Sequence, residues 1–401
     1  MVKVYIVAAK RTPVGCFKGA LKTLSPARLG AEAVKAVLAQ VQLAASVVDE
    51  VIVGNVIGAG QGMGVGRQVA LAAGIPDRVP AYTLNMVCGS GMKAVMDACA
   101  HIKAGDAEVV IAAGTESMSQ IPFTVPADIR CGIRPGHLEL RDLLISDGLT
   151  DAFNRYHMGF TAENIARRLE ISREEQDRFA LASQRKAVAA VSQGRFVDEI
   201  VPVEVKSRSG LLTVAQDEHP RDGVTIEKLA ALSPAFTDRG TVTAGNASGL
   251  NDGASAILVV SEAAVEKYHL QPLVEIESYH QVGVAPDVMG LGPVGACLGA
   301  LGKAGLLIDN IDLCECNEAF AAQALGVIQE IARLTRTPAE ALLARTNVNG
   351  GAIALGHPLG ASGNRILVTL LYEMRRRGAG RGLATLCIGG GMGTAVILKN
   401  M

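Results

Sequence analysis

The chain repeats itself, and that constrains its fold more than any other feature. An apolar helix-like stretch ends in LAASVVDEVIVGN at Asn55, and its counterpart AGLLIDNIDLCECN ends at Asn317 with the same strand-like alternation. A small-residue turn then opens a helix, CGSGMKAVMDACAHI at 88–102 and GASGNRILVTLLYEM at 360–374. Each helix passes through a glycine into a strand, VVIAAGTE at 109–116 and ATLCIGGG at 384–391. Three correspondences in one order predict two similar α/β halves carrying a duplicated βαβ layout. The interval before the turn is longer in the second copy, with the extra length in LTRTPAEALLART.

Between the halves, residues 161–240 are about twice as densely charged as the rest, which marks a more exposed insertion. Its ENIARRLEISREEQDRFALASQRKAVAA reads as amphipathic helices, with Ser172 and Glu175 spaced as a capping box. Over the whole chain, 38 Lys and Arg balance 39 Asp and Glu. No global field therefore favours nucleic acid or an anionic membrane, and an anionic ligand must be met locally. The longest uncharged runs are broken by glycines and fall short of a membrane span. MVKVYIVAAKRTP lacks the layout of a signal peptide, so a cytoplasmic location is expected.

Four residues stand out chemically. Cys88, in NMVCGSG, sits where a strand gives way to a helix, so backbone N–H groups and the helix dipole should lower the cost of a thiolate. His357, in VNGGAIALGHPLGASG, precedes the repeat-equivalent turn, and superposing the repeats brings it near Cys88 as a base for a thiol proton. Cys387 ends a strand in TLCIGGGMG, where open α/β sheets collect ligands. Asn317, in ECNEAF, is read either as orienting a water or as capping a helix from Glu318 onward. Cys99 reads as core, and Cys314 with Cys316 makes a poor metal site. Neither GxSxG nor a Walker lysine motif occurs, and the glycines of VIGAGQGMGVG at 56–66 and of GGGMG do not match GxGxxG, which lowers serine-hydrolase, dinucleotide and NTP chemistry.

These residues in their motifs, with VYIVAAKRTPVGCFKGAL, YHMGFTAEN, DEHPRDG, TAGNASGLNDGA and NEAFAAQAL, resemble the thiolase family over nearly the whole chain. The resemblance implies two five-stranded βαβαβ halves forming a layered αβαβα core with an inserted loop domain. The expected bounds are 1–119 for the first half, completed by about 251–270, then 120–250 for the CoA-binding insertion and 271–401 for the second half. It also implies that Cys88 takes an acyl group from a CoA thioester, that His357 accepts its proton and that Cys387 removes an α-proton from a second acetyl-CoA. Asn317 would hold a water on the enolate oxygen, and the N–H groups of Cys88 and Gly389 would form the oxyanion hole.

The family's CoA site maps to His157, Met158, Arg221, Phe236, Ala244, Ala247, Ser248, Leu250, Met289, Ala319 and Phe320. The His157–Met158 pair resembles the short-chain biosynthetic branch, which interconverts acetyl-CoA, acetoacetyl-CoA and CoA. No metal or dissociable cofactor is implied, and a homo-oligomer is expected, a tetramer before a dimer. Two departures stand out: Cys316 before Asn317, and the longer connection before Asn347. A decarboxylating condensing enzyme of the same broad fold would not need Cys387 as a base. A non-catalytic acyl-CoA binder would not need all four chemical positions.

Overall fold

The structure, a computed structural model, describes residues 2–133, 135–207 and 210–401. The first half contributes β1 (Val4–Arg11), β2 (Glu50–Gly54), β3 (Ala81–Leu84), β4 (Val109–Ser117) and β5 (Asn251–Ser261). The second contributes β6 (Val274–Gly283), β7 (Leu313–Cys316), β8 (Arg381–Ile388) and β9 (Met392–Asn400). Their order across the sheet is β7-β8-β9-β6-β1-β5-β4-β2-β3. The halves therefore mirror one another, and they join edge to edge where Tyr5 pairs with Glu275 and Ile6 with Val274.

The longer helices are α1 (Pro26–Gln40), α2 (Val65–Ala72), α3 (Ser90–Ala104), α4 (Gly159–Arg168), α5 (Arg173–Ser192), α6 (Gly292–Ala304), α7 (Ala321–Thr335), α8 (Ala339–Arg345) and α9 (Leu359–Arg377). They complete five layers. Period-2 alternation decides which side chain enters which core. Along β4, Val110 and Ala112 face a central core with Met92 and Val95 of α3 and Ile366 and Leu370 of α9. Val109, Ile111 and Ala113 face an outer core with Leu29, Val34 and Val37 of α1. Both faces are covered, so the strand reads as one apolar run rather than an alternating one. A third core places Cys297 and Leu301 of α6 and Val327 and Ile328 of α7 on Leu383 and Ile397 in the second half of the sheet. Cys99 is fully buried in the central core.

The resemblance implies five strands per half, but the counterpart of β3 in the second half is one bridge between Cys314 and Thr346. A side chain takes over the pairing: Asn347 Oδ1 accepts the Cys316 N–H at 2.8 Å and Nδ2 donates to the Cys316 carbonyl at 2.8 Å. The added residues before it form α8. In the insertion, Ser172 caps α5 with Glu175 in a reciprocal capping box, as the spacing predicts. The buried Arg11 guanidinium holds the insertion against the end of β1, through Glu199 at 2.6 Å and Asp217 at 2.6 and 2.9 Å. Among the described residues, no helix is long and apolar enough to cross a membrane.

Candidate active site

Cys88 lies in the turn between β3 and α3, one residue before the helix N-cap Gly89. Val87 holds φ at +48°, a conformation that costs a β-branched residue on the order of 1–3 kcal/mol. Local hydrogen bonds hold it there. Asn85 Oδ1 accepts the Val87 N–H at 2.9 Å, and Ser90 Oγ links the Met86 N–H to the Val87 carbonyl. The backbone N–H groups of Cys88 and Gly389 point at the Cys88 sulfur and favour its thiolate, yet burial outweighs them and pushes the thiol up to about 11. The expected help from backbone N–H groups is present, but burial keeps the sulfur protonated at rest. A helix end lowers the cost of the charge, but taking the sulfur out of water raises it more.

Cys387 sits near the end of β8 and is an electrostatic neighbour of Cys88, with burial pushing its thiol strongly upward. It packs with Met158, Met289, Ala319 and Phe320 in one apolar cluster. Gly389 follows in the β8–β9 connection, where an added Cβ would fall 2.8 Å from Met158 Sδ. The structure thus brings Cys88, Cys387 and Gly389 together.

His357 is buried two residues before α9, as Cys88 is two residues before α3. Gly356 precedes it at φ +99°, and a Cβ there would fall 2.5 Å from Asn251 Cγ, so only glycine fits. The His357 N–H donates to Asn251 Oδ1 at 2.9 Å. Ser362 gives its one hydroxyl proton to the Pro358 carbonyl and therefore accepts from His357 Nδ1 at 2.6 Å. Nε2 is left as the lone-pair nitrogen, without a protein partner. Burial and the nearby Arg365 push this imidazole down to about 3, so it rests neutral. The two turns meet because α3 and α9 touch through glycines: a Cβ on Gly91 would fall 2.9 Å from the Gly360 carbonyl.

Asn317 follows β7, its backbone N–H donating to the Thr385 carbonyl at 3.0 Å. Its helix-capping reading falls away, because α7 begins only at Ala321 with Phe320 as N-cap. Its buried amide has neither polar atom engaged by the protein.

The residues mapped to CoA divide into two groups. Arg221, Ala244, Ala247, Ser248 and Leu250 line a cleft of about 650 Å³. His157, Met158, Phe236, Met289, Ala319 and Phe320 instead form the wall around Cys387. His157 stacks on Phe236 with ring centroids 4.5 Å apart, and Phe236 meets Phe320 edge-on at 6.2 Å. The groups meet where Ala247 bridges to Phe320 and the Ser248 N–H donates to the Ala319 carbonyl at 3.0 Å. No group of three or more His, Cys, Asp or Glu side chains among the described residues could hold a metal ion.

Several supporting residues received no role from the sequence. Glu116 accepts the Val56, Ile57 and Gly360 N–H groups and Asn55 Nδ2, tying the Cys88 half to the turn after His357. Burial pushes its carboxyl up to about 7. Glu318 likewise gathers Ser183 Oγ, Asn347 Nδ2 and the Ile353 N–H. The available signal was an acidic residue inside an otherwise apolar strand or a small-residue turn.

Comparison with known proteins gives a consistent result. The family model for the thiolase N-terminal domain matches residues 4–263, and that for the thiolase C-terminal domain matches residues 270–400. An acetyl-CoA acetyltransferase of Pseudomonas aeruginosa is 54% identical over 399 residues, 99% of each chain. One from Rhizobium meliloti is 52% identical over 398 residues, again 99% of each. Among solved structures, the Bacillus anthracis acetyl-CoA acetyltransferase superposes with a TM-score of 0.95 at 43% identity, covering 100% of this chain and 99% of that one. Human mitochondrial 3-ketoacyl-CoA thiolase gives 0.94 at 46% identity with the same coverage. With both of its halves matched and full-length relatives above half identity, the chain belongs to the thiolase family.

Proposed function

We propose that the protein is an acetyl-CoA C-acetyltransferase that joins two acetyl-CoA into acetoacetyl-CoA and CoA, reversibly, through an acetyl-cysteine. The observation that carries this reading is a pair of neighbouring buried thiols, Cys88 and Cys387, alongside a neutral imidazole whose Nε2 is free to take a proton.

Cys88 passes its proton to His357 Nε2 as its sulfur attacks the thioester, and the N–H groups of Cys88 and Gly389 receive the developing oxyanion. CoA departs with the Cys387 proton, which leaves a Cys387 thiolate beside an imidazolium. That thiolate removes the α-proton of a second acetyl-CoA. The enolate oxygen is met by His357 and by a water on the Asn317 amide. Attack of the enolate carbon on the acyl group expels the Cys88 sulfur, which recovers its proton from His357. Cys88 thus regains its own proton and Cys387 replaces the one given to CoA with the α-proton, so both thiols end as they began and the scheme calls on no metal or dissociable cofactor. Arg221 and Ser248 in the cleft would take the CoA phosphates and pantetheine arm.

Loss of acetoacetyl-CoA on adding free CoA tests the reading, and an inert protein that still binds acyl-CoA would replace it with a binding role. The likeness to human 3-ketoacyl-CoA thiolase supports a second reading of broader chain length. Met158 and Met289 crowd the wall at Cys387 and favour the short chain. A series of 3-ketoacyl-CoA lengths should therefore fall steeply beyond acetoacetyl-CoA.

A resting pair of neutral thiol and neutral imidazole also fixes the pH response. His357 stays a free base down to about 3, and Cys88 stays a thiol up to about 11. Acetyl transfer to Cys88 should be level between about pH 5.5 and 8.5, measured as label incorporation. An inflection near the ordinary histidine value of 6.5 would contradict it.

We further propose a cytoplasmic homotetramer serving fatty acid metabolism. The uncharged edge strand β3 and the exposed Phe123, Leu140 and Phe153 support assembly. Light scattering should give four times the 41.6 kDa chain mass, and Leu140→Asp should reduce it.

A further inference from the structure

A second thiol and imidazole meet outside the chemistry described above. Cys16 ends a two-residue strand that pairs with β5, and its Sγ lies 3.7 Å from His219 Nδ1. His219 is nine-tenths buried. The Asn251 side-chain amide nitrogen, which only donates, also faces Nδ1. Nδ1 is therefore the lone-pair nitrogen, facing Cys16 and, at 3.4 Å, Asn251 Nδ2. Burial and Arg221 push the imidazole down to about 4, which keeps that lone pair available. Both residues line the 650 Å³ cleft, together with Arg221, Lys228 and Ser248. Asn251 separates this pair from the reaction centre, its Oδ1 holding the His357 N–H.

We propose that Cys16 and His219 form a thiol-exchange site that takes CoA in its disulfide form and stores it as a mixed disulfide closing the cleft. The proposal rests on the cleft being the CoA site, as argued above. The step balances without a further oxidant. His219 Nδ1 takes the Cys16 proton, the Cys16 sulfur attacks one sulfur of the CoA disulfide, the S–S bond breaks, and the departing CoA thiolate leaves with the proton. One disulfide is consumed and one is formed.

Selectivity follows from the surroundings. Burial and Glu218, whose Oε2 accepts the Cys16 N–H at 2.9 Å, push the Cys16 thiol upward, so it reacts slowly with disulfides that merely collide with it. A disulfide held by its phosphates beside Arg221 and Lys228 gains an effective concentration that a small peptide disulfide lacks.

The test uses full-length Cys88→Ala protein, so that the reactive catalytic thiol does not obscure the result. CoA disulfide or glutathione disulfide is added, and the adduct at Cys16 is followed by intact mass and peptide mapping. CoA disulfide should modify Cys16 at least about tenfold faster than glutathione disulfide, with His219→Ala slowing it about tenfold and Arg221→Ala erasing the preference. Equal rates for the two disulfides, no effect of His219→Ala, or an adduct confined to other cysteines would overturn the proposal. Thiolysis of acetoacetyl-CoA by untreated wild-type protein reports separately on the proposed activity.

Discussion

Cys88→Ala should abolish thiolysis of acetoacetyl-CoA, by at least about four orders of magnitude, because the Cys88 and Gly389 N–H groups are aimed at the Cys88 sulfur. Cys387→Ala should stop the reaction one step later. It removes the α-proton acceptor and lowers turnover by about three orders of magnitude, yet Cys88, His357 and both N–H donors stay in place and CoA can still depart with the proton held by His357. Labelled acetyl-CoA should then accumulate as an acetyl group on Cys88, recovered by peptide mapping. A Cys387→Ala protein that neither turns over nor retains label would defeat this division of roles. Loss of both functions in one variant and only one in the other is a result that simple misfolding does not produce.

The second large effect concerns stability. Gly114 of β4 lies against the first turn of α9, where an added Cβ would fall 2.3 Å from the Gly360 carbonyl and 2.9 Å from Ala361 Cα. These are backbone atoms, so no rotamer change relieves the clash. Gly114→Val should lower unfolding free energy by at least about 3 kcal/mol, read as a shift in the urea midpoint. Gly302, exposed near the end of α6 with nothing within 4 Å of its Cβ position, supplies the contrast. Gly302→Ala should be neutral or stabilise by up to about 1 kcal/mol. Equal effects at both positions would mean that the contact between sheet and central helix is looser than described.

What the sequence made legible follows the range of the interactions involved. The repeat, the two turn-and-helix blocks and the Ser172 cap depend on residues a few positions apart, and each stands where its spacing predicts. The cysteines and His357 were found because each sits in a glycine-rich turn at the end of a strand or the start of a helix. The resting charge of those groups was not legible. Whether a helix end or burial wins at Cys88 depends on the core it joins, with Leu386 of β8 and Leu143 and Leu144, which no local pattern announces. Glu116, Asn251 and Glu318 escaped for the same reason. Glu116 bonds Gly360, which lies 244 positions away, and Asn251 bonds His357, which lies 106 positions away. Asn317 was ambiguous until the start of α7 was known.

The glycine-to-glycine crossing of α3 and α9 carries a consequence for anyone who would recombine this protein with a relative. Cys88, the proposed nucleophile, comes from one repeat and His357, its proposed base, from the other, and their separation is set by how closely the backbones approach at Gly91, Gly114, Gly360 and Gly363. A chimera joined between β5 and β6 inherits both halves of the sheet intact, but it reacts only if both parents keep the same small residues along that seam. The duplicated halves are thus structurally alike and chemically unequal, and neither can drift in its central helix without the other.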